Sequence, residues 1–469
     1  MSEKNYPAAP DLSLQPSTNQ DKLPPLRLRT KNIVWIALGF FAVLMFWYIY
    51  NYYVPLILED MLEYRGVNNV RLLVGVIMAA DSFFAILIML TVGIASDKIK
   101  SKRGKRMPFI VVGAAITVIV FPFLPVLFLF NNLLGTIIMI GLVLTTMNLV
   151  RPATVALMPD VTPKPLRPKA NAIINFVGYI GAILAGGIAL VTSLFVEGTG
   201  NPVTEQSRLL LIPFIASCVA MAIAVTVLFL KIREYKLVQE MQDELKIGEQ
   251  MAEVESAARA DRRFTKQDKI NLAILFCSLF FWWFAFSAVE TFWSMHGRAR
   301  LGDGFLVPFG PALLAIASLA TFLPAIKLTK KIGRKKSVIV GLGLIIFAVI
   351  PMAFVTPAVP LFNIWLALGL AIAGAGWAIV NISAFPMFVE FADKDKVGRY
   401  TGYYYLATMS AQTLTPILAG WLVGDTLGWW ALFPYTAVFM SIALALMLFF
   451  RPRNSGASVG QKTQTSDDA

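Results

Sequence analysis

Residues 93–110 read GIASDKIKSKRGKRMPFI and join two long apolar segments of the chain. Asp97 stands near the end of the first segment, and a glycine turn at Gly104 with several cations follows it. Such a group of charges at the surface of a membrane can form ion pairs that clasp neighbouring helix ends and break when the helices move. A basic loop that only sets the membrane topology is the alternative, but such a loop would not require Gly93, Asp97 and Gly104 at these spacings.

The composition of the chain indicates a membrane protein. Of its 469 residues, 57% are hydrophobic and only 15% are charged, and the mean hydropathy is +0.68. A soluble protein of ordinary composition is less apolar than this. The formal net charge of +13 does not indicate a nucleic-acid partner, because the basic residues form short clusters between apolar spans. Both cysteines lie in apolar spans and offer no metal knuckle, so the sequence predicts no metal site and no cofactor.

Twelve long apolar stretches follow one another along the chain, and each is long enough to cross a bilayer as a helix. Because these stretches are continuously apolar rather than short and alternating, a helical bundle is favoured over a membrane β-barrel. The sequence therefore predicts an all-α membrane protein. The predicted spans are 33–58, 72–96, 107–130, 133–158, 171–196, 208–231, 269–296, 305–328, 337–356, 359–391, 402–424 and 427–450.

The distribution of lysine and arginine predicts the orientation of the spans. Counted over alternate connections, 35 of the 41 basic residues lie on one side of the membrane. An excess of basic residues marks the cytoplasmic side. Both tails, 1–32 and 451–469, are therefore expected to be cytoplasmic and disordered, as an even number of spans requires. The sequence predicts a multi-pass protein of the plasma (inner) membrane.

A polar connection divides the chain near its middle into six spans and six. It gives predicted boundaries of 33–231 for a first bundle, 232–268 for a cytoplasmic linker and 269–450 for a second bundle. The linker is rich in Glu, Gln, Lys and Ala, which predicts a solvated, partly helical tether. A regulatory role for this segment is the less favoured interpretation.

The two halves match weakly when one is laid over the other at an offset of 233 residues. Asn148 then falls on Asn381, and Asp160 falls on Asp393. Chance similarity between apolar helices is the alternative, but the matching polar residues favour a duplication. Duplicated halves with a substrate site at their interface are typical of secondary transporters that work by alternating access.

The stretch 93–110 resembles the signature loop of the major facilitator superfamily in its longer form. With its basic run and its Pro-Phe-Ile ending, it is similar to the sucrose and maltose proton symporters and their glycoside-pentoside-hexuronide relatives. The passage from Asn148 to Asp160 and the stretch Gly398–Gly402 resemble the same family. The resemblance implies two pseudo-symmetric six-helix bundles, a substrate site between them at mid-membrane, and symport of a small sugar with a proton. The predicted gating residues are Gly93, Asp97, Arg103, Gly104, Arg106, Asp160, Gly333, Arg334, Asp393 and Arg399.

The chain departs from this family in the charges of its spans. Plant sucrose carriers have an aspartate and an arginine in span 4, where this chain has apolar residues near Leu144 and Val155. Arg151 lies one turn from Val155 and could replace that arginine on the same helix face. The paired carboxylates that bind sodium in the melibiose branch are absent from span 2, which has Ile86 and Leu90 instead. These departures favour protons over sodium as the coupling ion.

Ionisable residues inside a membrane span are costly and indicate function. Asp81 lies about ten residues from Arg71, hence roughly 15 Å deep, and is the first candidate for the proton site. A structural hydrogen bond to a neighbouring helix is the alternative for Asp81. Arg151 either keeps Asp81 ionised or binds sugar hydroxyls. Glu290 stands two turns before Arg298 and is either a second proton group or one side of an outer gate.

Sugars are bound by aromatic rings against their CH faces and by amides or hydroxyls against their OH groups. The spans supply both kinds of side chain. Most membrane aromatics face lipid or form interface belts, and buried amides also join helices, so these are the alternatives at each position. The predicted substrate-binding residues are Tyr48, Asn51, Asn148, Asn175, Trp283, Trp377, Asn381 and Gln412.

The sequence thus predicts a twelve-helix secondary transporter that moves a small sugar with a proton and acts as a monomer in the lipid bilayer. A transporter of the same fold for an organic anion or a drug is the first alternative, although an anion carrier would want several intramembrane cations. A membrane nutrient sensor that does not transport is the second. The sequence has no nucleophile elbow or phosphate-binding glycine loop, so the chain is not expected to be an enzyme.

Overall fold

The computed structural model describes residues 26–98, 101, 103–195, 209–257, 265–302, 306–389, 391 and 397–451. Within these residues the regular elements are helices. The α-helices are α1 (Thr30–Glu63), α2 (Val70–Lys98), α3 (Met107–Val120), α4 (Phe123–Leu129), α5 (Leu133–Asp160), α6 (Arg167–Ser193), α7 (Leu211–Lys231), α8 (Glu234–Glu240), α9 (Gln242–Ala257), α10 (Lys266–His296), α11 (Leu306–Ile332), α12 (Arg334–Met352), α13 (Phe362–Val389), α14 (Val397–Ala419) and α15 (Leu432–Phe449).

Eleven helical segments in the described residues are long and apolar enough to cross a membrane. One of them, Met107–Leu129, combines α3 with α4. α2 occupies the remaining predicted span, 72–96, and several side chains in its second half lie outside the described residues. The predicted fold class is confirmed, because the chain is an all-α, multi-pass integral membrane protein.

Local sequence explains where several helices begin. The Thr265 hydroxyl oxygen accepts the N–H of Asp268 at 3.2 Å, and the Asp268 carboxylate accepts the N–H of Thr265 at 2.8 Å, which starts α10 with a capping box. The side-chain oxygen of Asn132 accepts the N–H of Gly135 at 2.9 Å and starts α5. Gly333 separates α11 from α12 with a φ of +84°, a conformation that favours glycine. These residues mark the boundaries between successive helices.

The first six spans, α1 to α7, and the last six, α10 to α15, are called the first half and the second half. They meet most extensively along two helix pairs, α2 with α14 and α6 with α11, and α1 also contacts α10. A Cβ on Gly75 would lie 2.1 Å from the carbonyl oxygen of Pro416, and a Cβ on Gly186 would lie 2.4 Å from the Cβ of Ala312. Glycines at such crossings let membrane helices approach closely. The halves are therefore in direct contact beside the space that they enclose.

The two ends of the bundle differ in charge. The end that carries the connections with Arg29, Arg106 and Lys164 is called the basic end and is the predicted cytoplasmic side. The other end, which carries Arg71 and Arg298, is called the opposite end. Helices α8 and α9 lie within the predicted linker 232–268, at the basic end.

Candidate functional site

A cavity of about 360 Å³ lies between the two halves. Helices α1, α2, α5 and α6 line it from the first half, and α10, α11, α13 and α14 line it from the second. Sites for small ligands commonly have roughly 300–1,000 Å³ and combine apolar walls with a few polar groups. Of the predicted site residues, the cavity lining includes Tyr48, Asn51, Asp81, Arg151, Trp283, Glu290, Trp377 and Gln412.

Asp81 presents its carboxyl to this cavity from α2. Asn148 of α5 donates from Nδ2 to Asp81 Oδ1 at 3.3 Å and is 2% exposed. Arg151 follows Asn148 by three residues, so both side chains lie on one face of α5. Arg151 is close enough to act electrostatically on Asp81. Asn148 is not part of the cavity lining, and its contact is with Asp81 rather than with the space that a substrate would occupy.

Glu290 faces the same cavity from α10 in the second half. Asn51 Nδ2 lies 3.4 Å from Glu290 Oε1, which is a long hydrogen bond. Arg151 acts electrostatically on Glu290 as well as on Asp81. Its guanidinium carbon lies 5.8 Å from the ring centroid of Trp47, within reach of a cation–π contact. One guanidinium therefore lies within electrostatic range of two carboxyls that come from different halves.

Aromatic side chains line the cavity from both halves. In the second half, the ring centroids of Trp283 and Trp377 are 5.3 Å apart, and Phe286 stacks on Trp377 at 3.8 Å. In the first half, the indole N–H of Trp47 and the hydroxyl of Tyr50 are buried without a hydrogen-bond partner in the part of the chain that the structure describes. Both residues line the cavity, but these two polar atoms are themselves buried. Tyr50 was not predicted, although its spacing of three residues from Trp47 places both on one helix face.

Two predicted substrate-binding amides, in addition to Asn148, do not line the cavity. Asn175 donates from Nδ2 to the carbonyl oxygen of Asn171 at 2.9 Å, and Asn381 donates in the same way to that of Trp377 at 2.9 Å. Each side chain thus bonds to the backbone of its own helix, one turn earlier. Direct substrate contact by Asn175 and Asn381 stays a prediction.

Charged residues join the two halves at the opposite end. Arg298, which follows α10, donates to Asp60 Oδ1 at 2.6 Å and also to Glu59 Oε2. Arg71 Nε donates to the other carboxylate oxygen of Glu59 at 3.0 Å, and Glu59 is 3% exposed. We call these four residues the opposite-end lock. The role of Glu290, as a second proton group or as one side of an outer gate, stays a prediction.

Three further hydrogen bonds cross between the halves. The Asp425 carboxylate accepts the backbone N–H groups of Leu72 at 2.8 Å and of Arg71 at 3.2 Å, in the first turn of α2. The Tyr48 hydroxyl donates to the carbonyl oxygen of Pro308 at 2.6 Å. Together with the lock, these contacts join the two halves at the opposite end of the molecule.

The predicted gating loop lies at the basic end, within the first half. Arg106 Nε donates to Asp160 Oδ2 at 2.9 Å and joins the loop between α2 and α3 to the end of α5. The guanidinium carbon of Arg103 lies 4.3 Å from the ring centroid of Phe229. Gly104 has a φ of +113°, in the left-handed region. All of these contacts are made inside one half.

The other gating residues are described only in part. Gly333 and Arg334 form the start of α12, at the place in the second half that corresponds to the Gly104 turn. The following predicted gating residues have side chains outside the described residues: Gly93, Asp97, Asp393 and Arg399. Their gating roles stay predictions.

Solved structures of known transporters share this fold. The xylose transporter XylE from E. coli, in an inward open conformation, matches with a TM-score of 0.69 and 12% identity, over 90% of this chain and 97% of that chain. A D-xylose-proton symporter matches with a TM-score of 0.65 and 14% identity, over 92% and 100% of the two chains. The nucleoside transporter NupG matches with a TM-score of 0.62 and 14% identity, over 89% and 100%. At these identities the likeness establishes the fold.

The sequence comparisons identify the family. A search of curated proteins finds no significant match. The sequence profile of the Major Facilitator Superfamily matches residues 4–186, 135–414 and 360–467, which together cover most of the chain. The chain therefore belongs to the Major Facilitator Superfamily, a family of membrane transporters rather than enzymes.

Proposed function

We propose that the protein carries a small neutral sugar together with a proton across the membrane by alternating access. The observation that carries this proposal is the composition of the cavity between the halves, where aromatic side chains, two amides, two carboxyls and one guanidinium line the same space. Solved structures with the same fold include the xylose transporter XylE and a D-xylose-proton symporter. In the proposed cycle the bundles 33–231 and 269–450 of a single monomer rock about the cavity.

The groups that line the cavity suit the chemistry of a sugar. Trp47 from the first half and Trp283 from the second offer ring faces for the CH surfaces of a sugar ring. Asn51 and Gln412 can exchange hydrogen bonds with its OH groups. A neutral polyhydroxy ligand satisfies buried donors without adding a charge to the site. Because these groups come from both halves, a bound sugar contacts both moving parts.

The charged groups of the cavity supply a route for coupling to protons. When Asp81 and Glu290 are both ionised, the two carboxylates and Arg151 carry one net negative charge, and an unbalanced charge inside a membrane is costly. One proton on either carboxyl restores neutrality. We assign Asp81 as the proton site because Asn148 orients its carboxyl within electrostatic range of Arg151, with Glu290 as the second carboxyl within range of the same guanidinium.

A different solute is the competing proposal. The fold is shared with the nucleoside transporter NupG, and nucleosides, like sugars, pack against aromatic rings. An organic anion fits less well, because the described charged residues of the lining are two carboxyls and one guanidinium. Among sugars, the resemblance of the loop at 93–110 favours sucrose and maltose.

Uptake into proteoliposomes tests the proposal. The labelled solutes are sucrose, maltose, xylose and a nucleoside, each with and without an imposed inward proton gradient. We expect at least one sugar to accumulate, and to do so only when the gradient is present. Sugar uptake that is the same with and without the proton gradient would contradict proton coupling. If none of the sugars were taken up, the proposed substrate class would be contradicted. Binding of a sugar without transport would identify a nutrient sensor instead.

Replacing Asp81 by asparagine tests the proton site. The variant keeps the size of the side chain but removes its titratable group, so we expect it to lose accumulation against a gradient. Exchange of sugar between two sugar-loaded compartments should continue, because exchange needs no net proton movement. Asp243→Asn, at an exposed carboxyl of α9, is the matched control. Unchanged accumulation by the Asp81 variant would remove Asp81 from the coupling step.

A further inference from the structure

Glu234 is the first residue of α8, and it is only 2% exposed although it lies in the polar linker. Its carboxylate accepts the backbone N–H groups of Lys105 at 2.8 Å, of Arg106 at 3.0 Å and of Met107 at 3.0 Å. Met107 begins α3, and the first N–H groups of a helix have no acceptor within that helix. Glu234 therefore supplies, from a distant segment, the acceptor that a capping side chain ordinarily provides.

The loop between α2 and α3 is shaped around this carboxylate. A Cβ on Gly104 would lie 2.3 Å from the carboxyl carbon of Glu234, so a residue other than glycine would push the carboxylate away. Burial raises the pKa of Glu234, and the three backbone N–H groups oppose that shift because they stabilise the ionised form. Arg106 belongs to the same turn and reaches Asp160 at 2.9 Å. Because the carboxylate of Glu234 holds the backbone of Arg106, it also helps to position the Arg106 side chain for its ion pair with Asp160.

The rest of the linker helices is also attached to the first half. Arg29, which precedes α1, donates to Glu240 at 3.2 Å and to Glu244 at 3.5 Å. These ion pairs are partly exposed, and such pairs are weak on their own. Gly248 of α9 packs against Pro163, where an added Cβ would lie 2.8 Å from the proline Cβ. The contacts extend over most of α8 and α9, and all of them are made to one half.

We propose that residues 234–249 are a fixed part of the first half rather than a tether, and that Glu234 is the positioning residue that holds the gating loop, residues 103–107, in its working geometry. In alternating access the basic end has to close when the opposite end opens. A loop held in one conformation presents the same surface to the second half in every cycle. This inference concerns gating and does not depend on which solute the protein carries.

Cysteine labelling tests the positioning role without any substrate. Ala182 lines the central cavity, and Ala182→Cys is introduced into a chain whose Cys218 and Cys277 have been replaced by alanine. An impermeant maleimide then reports access to the cavity from each end, in vesicles of either orientation. We expect Glu234→Ala to impair closure of the basic end, with about tenfold slower labelling from the opposite end and no loss from the basic end. Asp243→Ala is the matched control.

A second variant separates positioning from folding. Glu234→Gln keeps one oxygen acceptor for the loop, so we expect a change in the same direction but smaller than that of Glu234→Ala. If Glu234→Ala unfolds the protein, labelling from both ends rises together, and the comparison of Glu234→Gln with wild type then decides the question. Equal labelling of wild type and of a folded Glu234 variant would overturn the positioning role.

A reversible cross-link tests whether the linker is fixed. Pro163→Cys and Gly248→Cys place two sulfur atoms where their Cβ atoms need only a small shift to reach the roughly 3.5–4.5 Å that a disulfide spans. Because the proposal makes both positions part of one moving body, we expect oxidation to leave the labelling of Ala182→Cys from each end unchanged. Loss of labelling from one end on oxidation, restored by a reductant, would show that the linker moves against the first half and would overturn the proposal.

Discussion

The two ends of the bundle use their charges in different ways. At the opposite end, Arg298 of the second half pairs with Glu59 and Asp60 of the first. At the basic end, Arg106 pairs with Asp160 inside the first half, next to the carboxylate of the linker. Contacts between the halves have to break when the halves move, whereas contacts inside one half persist. The opposite-end lock therefore influences which conformation is populated, and the basic-end contacts preserve the shape of one moving part.

Of the variants that test this difference between the two ends, Arg298→Gln is expected to have the largest effect. Glu59 is 3% exposed and would lose its partner from the second half, and breaking a buried pair costs about 3 kcal/mol or more. We expect the equilibrium between the two conformations to shift by about a hundredfold toward the one that is open at the opposite end. Labelling of Ala182→Cys from that end should rise accordingly. Arg300→Gln, two residues further along, is the control, and an equal effect of both variants would show that general charge rather than the lock is responsible.

Asp425→Asn is expected to have the next largest effect. The neutral amide keeps an acceptor for the N–H groups of Leu72 and Arg71 but loses the attraction of a carboxylate for a helix N-terminus, about 1 kcal/mol. Labelling from the opposite end should rise about fivefold. Thr426→Ala serves as the control, because the Thr426 hydroxyl bonds only within its own segment, to the carbonyl oxygen of Trp421. A fall in labelling would contradict a role for Asp425 in closure.

Tyr48→Phe removes one neutral hydrogen bond between the halves. The lost bond to Pro308 is worth about 1 kcal/mol or less, so labelling from the opposite end should rise only a few-fold. Tyr64→Phe changes an exposed tyrosine in the same way and should leave labelling unchanged. If Tyr48→Phe had a larger effect than Arg298→Gln, the charged lock would not be the main contact that closes this end.

Arg29→Gln tests the other side of this comparison, the contacts at the basic end. Its ion pairs with Glu240 and Glu244 lie within the first half and are partly exposed, and pairs of this kind contribute about 0.5 kcal/mol or less. Labelling from either end, and the thermal unfolding midpoint, should stay close to wild type. A large shift would show that these ion pairs, rather than Glu234 and the packing of Gly248, attach the linker.

The sequence predicted the number and order of the spans, because a bilayer demands long apolar stretches. It placed the end of the first span at residue 58, but α1 continues to Glu63. Glu59 and Asp60 stay in the helix because arginines from α2 and from the second half neutralise them. A span that ends in buried, paired carboxylates cannot be recognised from apolarity alone.

The sequence predicted part of the site for a similar reason. Asp81, Arg151 and Glu290 stand out as charges inside apolar spans, and the structure brings all three to one cavity. The direction of an amide side chain depends on the rotation of its helix, which a weak hydrophobic pattern does not fix, and Asn381 is an example. Glu234 gave no signal, because its contact with Met107 joins residues 127 positions apart.

The charges of the central cavity have a consequence for the energy source of transport. Asp81, Glu290 and Arg151 belong to the helices and stay in the membrane, whereas in the proposed cycle a neutral sugar crosses with one proton. Each turnover then moves one positive charge through the membrane potential, which is worth about 2.3 kcal/mol per 100 mV. Membrane voltage alone, without a difference in acidity, is then sufficient to concentrate the sugar.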